Sequence, residues 1–167
     1  MVNICRAENL APYGALQLMN QFLAEVQPRN RTWGDPSLLK SLKNPSREPY
    51  RIQVHCPEVT FLGKRDQPDF ACVDIALSPT DRVIELKSLK QYLFSFRGAL
   101  VSYERFINVL YDDLMETYRP ARLVVQVRLR ARGGIRSKLR IDSQWRSEGV
   151  NQAERPSPAS ADPWAEF

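Results

Sequence analysis

Three cysteines, Cys5, Cys56 and Cys72, are the side chains of this chain best suited to covalent chemistry. A thiolate is both a strong nucleophile and a metal ligand. Their number is odd and no Cys-x-x-Cys pair occurs, so we expect free thiols in a reducing, cytoplasmic compartment rather than a disulfide framework. His55 directly precedes Cys56, but no second pair stands at ligand spacing, and we therefore expect no metal site.

Basic side chains are concentrated in a second region that could bind a ligand, the stretch between positions 128 and 140. Its members are Arg128, Arg130, Arg132, Arg136, Lys138 and Arg140. Such a cluster fits a nucleic-acid groove, a phosphate pocket or channel, or a solvated strand face. The whole chain has a formal net charge of +5, which favours an anionic partner without identifying one.

The length and composition indicate one globular domain with short appendages. The chain has 167 residues, of which 43% are hydrophobic and 26% charged. No run reaches the ~18 apolar residues of a membrane span, and we expect no targeting segment.

Hydrophobic periodicity divides the chain into three zones. We predict a leader over 1–49, with an amphipathic helix over 13–26 and an irregular arm, a compact core over 50–146, and a disordered tail over 147–167. Within the core the order is strand, strand, helix, helix, strand, strand. We place these elements at 50–62, 69–77, 83–98, 102–119, 121–131 and 137–146.

Two hairpins joined by a helical pair imply an α+β fold. We predict a four-stranded antiparallel sheet with both helices on one face. Such a sheet leaves its edge strands exposed, and pairing with neighbouring subunits would close a barrel or ring.

Four sequence blocks carry a resemblance to a known family. In chain order they are QPDFA (67–71), ELKSLKQYLFSFR (85–97), SYER (102–105) and RGGI (132–135). They resemble the QueF family of NADPH-dependent 7-cyano-7-deazaguanine reductases, which belongs to the tunneling-fold (T-fold) superfamily. The resemblance covers about residues 50–146, and the second block is its most specific part. It implies a T-fold that assembles into a homo-oligomeric ring with active sites between subunits.

The resemblance also implies roles for individual residues. In that family a cysteine thiolate attacks the nitrile carbon to form a thioimide, and NADPH then delivers two hydrides. Asp69 matches the proton-transferring aspartate, and Glu104 matches the glutamate that grips the heterocycle. The family's histidine is Tyr103 here, and Gly63 stands where the nucleophilic cysteine is expected, in a segment one residue shorter than the family's.

The remaining matched positions concern binding. Gly63 and Ser88 are assigned to the substrate together with Glu104. The positions that the resemblance assigns to NADPH are Glu85, Lys87, Lys90, Arg132, Gly133 and Gly134.

Each assignment has a purely structural alternative. Asp69 could cap a turn before its strand, and Glu104 would be stabilised near a helix N-terminus in any protein. Tyr103 could be an interface aromatic or could stack on a bound heterocycle. Lys87 and Lys90 could belong to a solvated helix face.

Three functional hypotheses follow. The first is a divergent enzyme of queuosine or 7-deazaguanine metabolism that binds a 7-deazaguanine, purine or pterin-like heterocycle and does not need the cysteine. Direct hydride transfer, hydrolysis and amine addition are all open to it. The second is a non-catalytic heterocycle-binding protein or partner subunit, and the third is a nucleic-acid-associated module that uses the basic hairpin.

Overall fold

A computed structural model describes residues 33–63 and 67–147 of the chain. A 3-10 turn at Pro36–Leu38 precedes the regular elements. These are β1 (Ser41–Lys43), β2 (Ile52–Leu62), β3 (Pro68–Ser78), β4 (Arg82–Ile84), α1 (Leu86–Phe94), α2 (Tyr103–Tyr118), β5 (Arg122–Leu129), β6 (Lys138–Asp142) and α3 (Ser143–Ser147). The helix predicted over 13–26 and the tail from 148 onward lie outside the described residues.

The main sheet has four antiparallel strands in the order β2-β3-β5-β6. This confirms the predicted α+β architecture, in which two hairpins, β2–β3 and β5–β6, are joined by a segment that contains the two long helices. β2 is bent as expected at Pro57, where the pairing with β3 shifts register between Cys56 and Val59.

One face of the sheet packs against both long helices. Alternate residues of β3 and β5 point into this core, where Val73, Ile75 and Val125 are 0% exposed. Phe106 of α2 and Phe61 of β2 stack there with ring centroids 4.6 Å apart. Burial of these apolar side chains provides the main stabilisation of the fold.

The opposite face carries a polar row that crosses all four strands. Cross-strand pairing aligns His55, Asp74, Gln126 and Arg140 in this row. Asp74 is buried, and its Oδ1 lies 2.6 Å from Nδ1 of His55. The polarity of this face distinguishes it sharply from the helix-covered face.

The start of α1 differs from its prediction. Val83 and Ile84 belong to β4, which pairs with β1 through Leu42 and Ser41, so the helix begins at Leu86 rather than at 83. The pairing was missed because both strands are only three residues long and show no periodicity. Part of the predicted irregular arm is therefore ordered against the core.

The second helix begins where a serine N-cap was predicted. The Ser102 side chain accepts a hydrogen bond from the Arg105 N–H at 3.3 Å, and the helix ends at Arg119 with φ 46°. This cap fixes Tyr103 and Glu104 in the first turn. Within the described residues no helix is long and apolar enough to cross a membrane.

Tyr118 makes the stability of the fold sensitive to alkaline pH. Its side chain is 0% exposed, and burial raises the pKa of its phenol to about 12. The unfolded chain releases this proton near pH ~10, so the stabilisation is complete below that pH and is lost as pH rises towards 12. The wild-type protein is expected to lose ~2 kcal/mol of its free energy of unfolding over this pH range, and Tyr118→Phe is expected to remove that loss. Urea denaturation of both proteins at several pH values measures the free energy of unfolding. If it fell with pH equally in the two proteins, the prediction would be contradicted.

Candidate functional site

A cavity of about 440 Å³ opens where β2 ends, β3 begins and α2 begins. It is in the size range of small-molecule sites. Its polar lining brings together residues from distant parts of the chain, namely Gly63, Asp69, Ser102, Tyr103, Glu104 and Arg132.

Asp69 is the most buried acid of this cavity, with 5% of its surface exposed. It lies in β3 on the helix-covered face, and its Oδ1 accepts a hydrogen bond from the Tyr103 hydroxyl at 2.9 Å. The same oxygen lies 3.1 Å from Nη1 of Arg132. Asp69 therefore acts in this structure as a hydrogen-bond acceptor within an ion pair.

Arg132 reaches the cavity from the tip of the β5–β6 hairpin. Backbone hydrogen bonds join it to Ile135 in both directions, and Gly133 and Gly134 supply φ values of 57° and 81° that other residues adopt poorly. Its Nη2 donates to the Gln67 side chain. The Tyr103 hydroxyl, and after it Asp69, raise the pKa of the guanidinium, so Arg132 is a fixed positive charge in the cavity.

Gly63 is buried directly against this ion pair. A Cβ atom at this position would lie 2.2 Å from Oδ2 of Asp69 and 2.9 Å from Nη1 of Arg132. The backbone is held there, because the Gly63 N–H donates to the Gln67 carbonyl at 2.8 Å. The ion pair thus occupies the space that any side chain at 63 would need.

Tyr103 and Glu104 complete the cavity from the first turn of α2. The Tyr103 ring packs edge-on against Phe61 with centroids 6.1 Å apart. Burial and the hydrogen bond to Asp69 raise the pKa of the Tyr103 phenol, so the hydroxyl stays a donor. Glu104 is an exposed residue of the cavity lining, and its backbone carbonyl accepts a hydrogen bond from the Asn108 side chain at 2.7 Å. None of the residues that the structure describes binds its carboxylate, which is therefore available to a ligand.

The residues predicted to bind NADPH lie apart from this cavity, with the exception of Arg132. The Glu85 carboxylate accepts hydrogen bonds from the Lys87 and Ser88 N–H groups at 2.9 and 2.8 Å, and so caps α1. These backbone interactions, together with the Ser88 side chain, lower the pKa of Glu85 despite an opposing effect of desolvation. Ser88 is 1% exposed, and its hydroxyl contacts the backbone of Lys40 and Glu85. The predicted contact of Ser88 with substrate stays a prediction.

A second cavity, of about 360 Å³, runs between α1 and β2. Its walls are largely apolar, with Leu86, Leu89 and Leu93 on the helix side. Lys90 and Arg97 line it beside Phe94, with the Arg97 guanidinium 4.1 Å from that ring, and Glu58 is the one acid that the described lining contains. An apolar wall with cations at its rim fits a nucleotide that carries phosphates.

The described cysteines do not line the first cavity. Cys56 lines the groove beside α1, and burial, with a smaller effect of Asp74, raises the pKa of its thiol. The Cys72 thiol donates to the Pro57 carbonyl at 3.0 Å on the polar side of the sheet. The sequence pattern did not predict the contact between Arg132 and Asp69, because these two residues are 63 positions apart.

Comparison with solved structures identifies the fold. The crystal structure of the archaeosine synthase QueF-Like in its apo form superposes with a TM-score of 0.50 at 16% identity, over 58% of this chain and 94% of that one. With the sheet order above, this defines a T-fold protein, as predicted.

The family model described as QueF-like protein matches residues 68–148. A relative from Magnetococcus marinus, named NADPH-dependent 7-cyano-7-deazaguanine reductase, is 39% identical over 108 residues, or 64% of this chain and 84% of that protein. The chain belongs to the QueF family.

Two Bacillus relatives carry the same name. The protein of Bacillus cytotoxicus is 41% identical over 103 residues, and that of Bacillus subtilis is 39% identical over 102 residues. Each match covers 60% of this chain and 62% of the relative, so it spans somewhat less than two thirds of these proteins.

Proposed function

We propose that the cavity beside Asp69 binds a 7-deazaguanine or a related purine or pterin-like heterocycle without forming a covalent bond to it. The observation that carries this proposal is the convergence of Asp69, Tyr103 and Glu104 on one cavity. These positions were matched from the sequence to the heterocycle site of the family, whose named relatives reduce 7-cyano-7-deazaguanine.

Each side chain has a chemically suitable role in such a site. The free carboxylate of Glu104 accepts hydrogen bonds from the N–H edge of the heterocycle, and the Tyr103 ring offers an aromatic surface for the base. Asp69, which is held by Arg132 and Tyr103, accepts a further ring N–H or a proton during reaction. The Tyr103 hydroxyl, 2.9 Å from Oδ1 of Asp69, is a proton donor at the same place.

We infer that the reaction differs from thioimide reduction, because glycine at position 63 offers no nucleophile. A covalent thioimide needs a thiolate next to the nitrile carbon, and the described cysteines lie outside the cavity. We infer an enzyme of 7-deazaguanine metabolism whose chemistry is independent of cysteine.

NADPH is the proposed cofactor. Lys90 and Arg97, at the rim of the groove beside α1, would hold its phosphates, with exposed Lys87 nearby. When bound, this cofactor supplies hydride. The retained motif favours redox chemistry over hydrolysis or amine addition.

A second candidate is a heterocycle-binding protein without activity, or a partner subunit of an active paralogue. Gly63 favours this reading too, because a binding protein requires no nucleophile. In either case we propose a homo-oligomer in which the edge strands β2 and β6 pair with neighbouring copies.

Incubation with 7-cyano-7-deazaguanine and NADPH tests the proposal. We expect calorimetry to detect binding of the heterocycle. Intact-mass spectrometry is expected to show no protein species that is heavier than the free protein by the mass of the heterocycle. Oxidation of NADPH, followed by its absorbance, separates the two candidates, since only the enzyme consumes it. A covalent adduct would contradict the proposal, and so would an absence of binding.

A further inference from the structure

A third cavity, of about 630 Å³, lies against the β5–β6 hairpin and has no role in the proposed function. Its polar lining consists of Arg128, Arg130, Arg136, Lys138, Ser137 and Cys72. It differs from the heterocycle cavity in its lining and in the face of the sheet from which it is built. Cys72 and Arg128 stand on the polar face, whereas Asp69 stands on the helix-covered face.

The positive charge of this cavity is only partly neutralised. Arg128 forms an ion pair with buried Asp74, with 2.8 Å between Nη2 and Oδ2, and Arg130 forms a looser one with exposed Glu58, with 3.6 Å between Nη2 and Oε2. For Arg136 and Lys138, by contrast, no carboxylate of residues 33–63 and 67–147 lies within ion-pair distance, and both side chains are exposed. Among the residues that the structure describes, no acidic side chain lines the cavity.

The register of the hairpin places like charges side by side. Arg128 on β5 pairs directly with Lys138 on β6, and Cys72 lies opposite Arg128 in the same row. Like charges directly opposite each other in a sheet are destabilising. Asp74 balances the charge of Arg128 in this pair, and a bound anion would balance that of Lys138.

Backbone hydrogen bonds hold these cations in place. The Leu129 N–H donates to the Ser137 carbonyl at 2.9 Å, and the Arg130 N–H donates to the Phe70 carbonyl at 2.9 Å. The side chains therefore project from a braced hairpin, so little backbone entropy is lost when a ligand binds.

We propose that this cavity is a separate binding site for a ligand with two or more phosphate groups. Guanidinium groups bind phosphate oxygens in a bidentate manner, and Lys138 adds a point charge. The ligand is either a free polyphosphate ester other than the proposed cofactor NADPH or a nucleic-acid backbone, which share this chemistry. Arg132 takes no part, because its guanidinium is bound to Asp69 and Gln67.

The test uses the full chain with the double substitution Arg136→Gln/Lys138→Gln. The probes are inorganic tripolyphosphate and a fluorescein-labelled single-stranded RNA, measured by calorimetry and by anisotropy. We expect the variant to weaken at least one probe tenfold or more and to leave heterocycle binding unchanged. If RNA is the ligand, the slope of log K against log salt becomes shallower by about 1.4, since each phosphate that the variant no longer neutralises accounts for ~0.7. The probe that binds identifies the source of the phosphate.

A matched control removes the same charge elsewhere. Lys43→Gln/Arg47→Gln changes two exposed basic residues outside the cavity and is expected to keep full binding. Thermal melting of the hairpin variant is expected to be unchanged or raised, because like charges have been removed. The proposal is overturned if neither probe binds, if the control weakens binding as much, or if the hairpin variant melts much earlier. Displacement of the RNA by NADPH would likewise overturn it, by assigning the hairpin to the cofactor.

Discussion

Replacing Gly63 with cysteine is expected to weaken both the fold and the heterocycle site, and not to restore thioimide chemistry. The new Cβ would lie 2.2 Å from Oδ2 of Asp69 and 2.9 Å from Nη1 of Arg132, so the ion pair must separate or the backbone must move. Overpacking of this kind destabilises proteins by about 1–3 kcal/mol. Chemical denaturation measures that loss, and intact-mass spectrometry with 7-cyano-7-deazaguanine is expected to detect no adduct.

Gly98→Cys is the matched control. A Cβ at Gly98 meets no atom within 4 Å, and the residue is exposed. We expect this variant to have wild-type stability and wild-type affinity for the heterocycle. If Gly63→Cys were as stable as Gly98→Cys and formed the adduct, the ion pair would not be what excludes a nucleophile from this position.

Replacing Glu104 with glutamine is expected to weaken heterocycle binding by about 10–100-fold, the value of a hydrogen bond to a charged group. Glutamine keeps the shape of the side chain but loses the negative charge, and only one of its terminal atoms accepts hydrogen bonds. The fold should be unaffected, since the Glu104 carboxylate is exposed and binds none of the residues that the structure describes. Isothermal calorimetry with 7-cyano-7-deazaguanine gives the affinities of variant and wild type.

Glu48→Gln serves as its control, because this exposed acid lies outside the cavity. Its affinity should equal that of the wild type. Equal binding by Glu104→Gln and Glu48→Gln would remove Glu104 from the site, whatever the reaction.

Local patterns were sufficient to predict the four strands of the main sheet and the two long helices, but residues 143–146, predicted as the end of a strand, belong to the short helix α3. Alternation predicted β3 and β5, and Ser102 marked the start of α2. The pairing of β1 with β4 could not be predicted in this way. It joins two segments of three residues about 40 positions apart, and tertiary packing decides it rather than propensity.

The chemistry of the cavity was only partly visible in the sequence. The match of residues 67–71 to the family motif identified Asp69 as a site candidate, and the missing cysteine was equally plain. The structure adds that Arg132 and Tyr103 both bind Asp69, contacts across 63 and 34 positions. Such contacts depend on how the β5–β6 hairpin folds over the start of β3, which local patterns do not encode.

A crystal structure of the wild-type protein with 7-cyano-7-deazaguanine tests the central claim most directly. The account predicts an intact heterocycle in the cavity of about 440 Å³, with its N–H edge on Glu104 and its ring beside Tyr103. Its nitrile carbon should be bonded to no sulfur. A heterocycle found elsewhere, or linked to the Sγ of Cys56 or Cys72, would contradict the account.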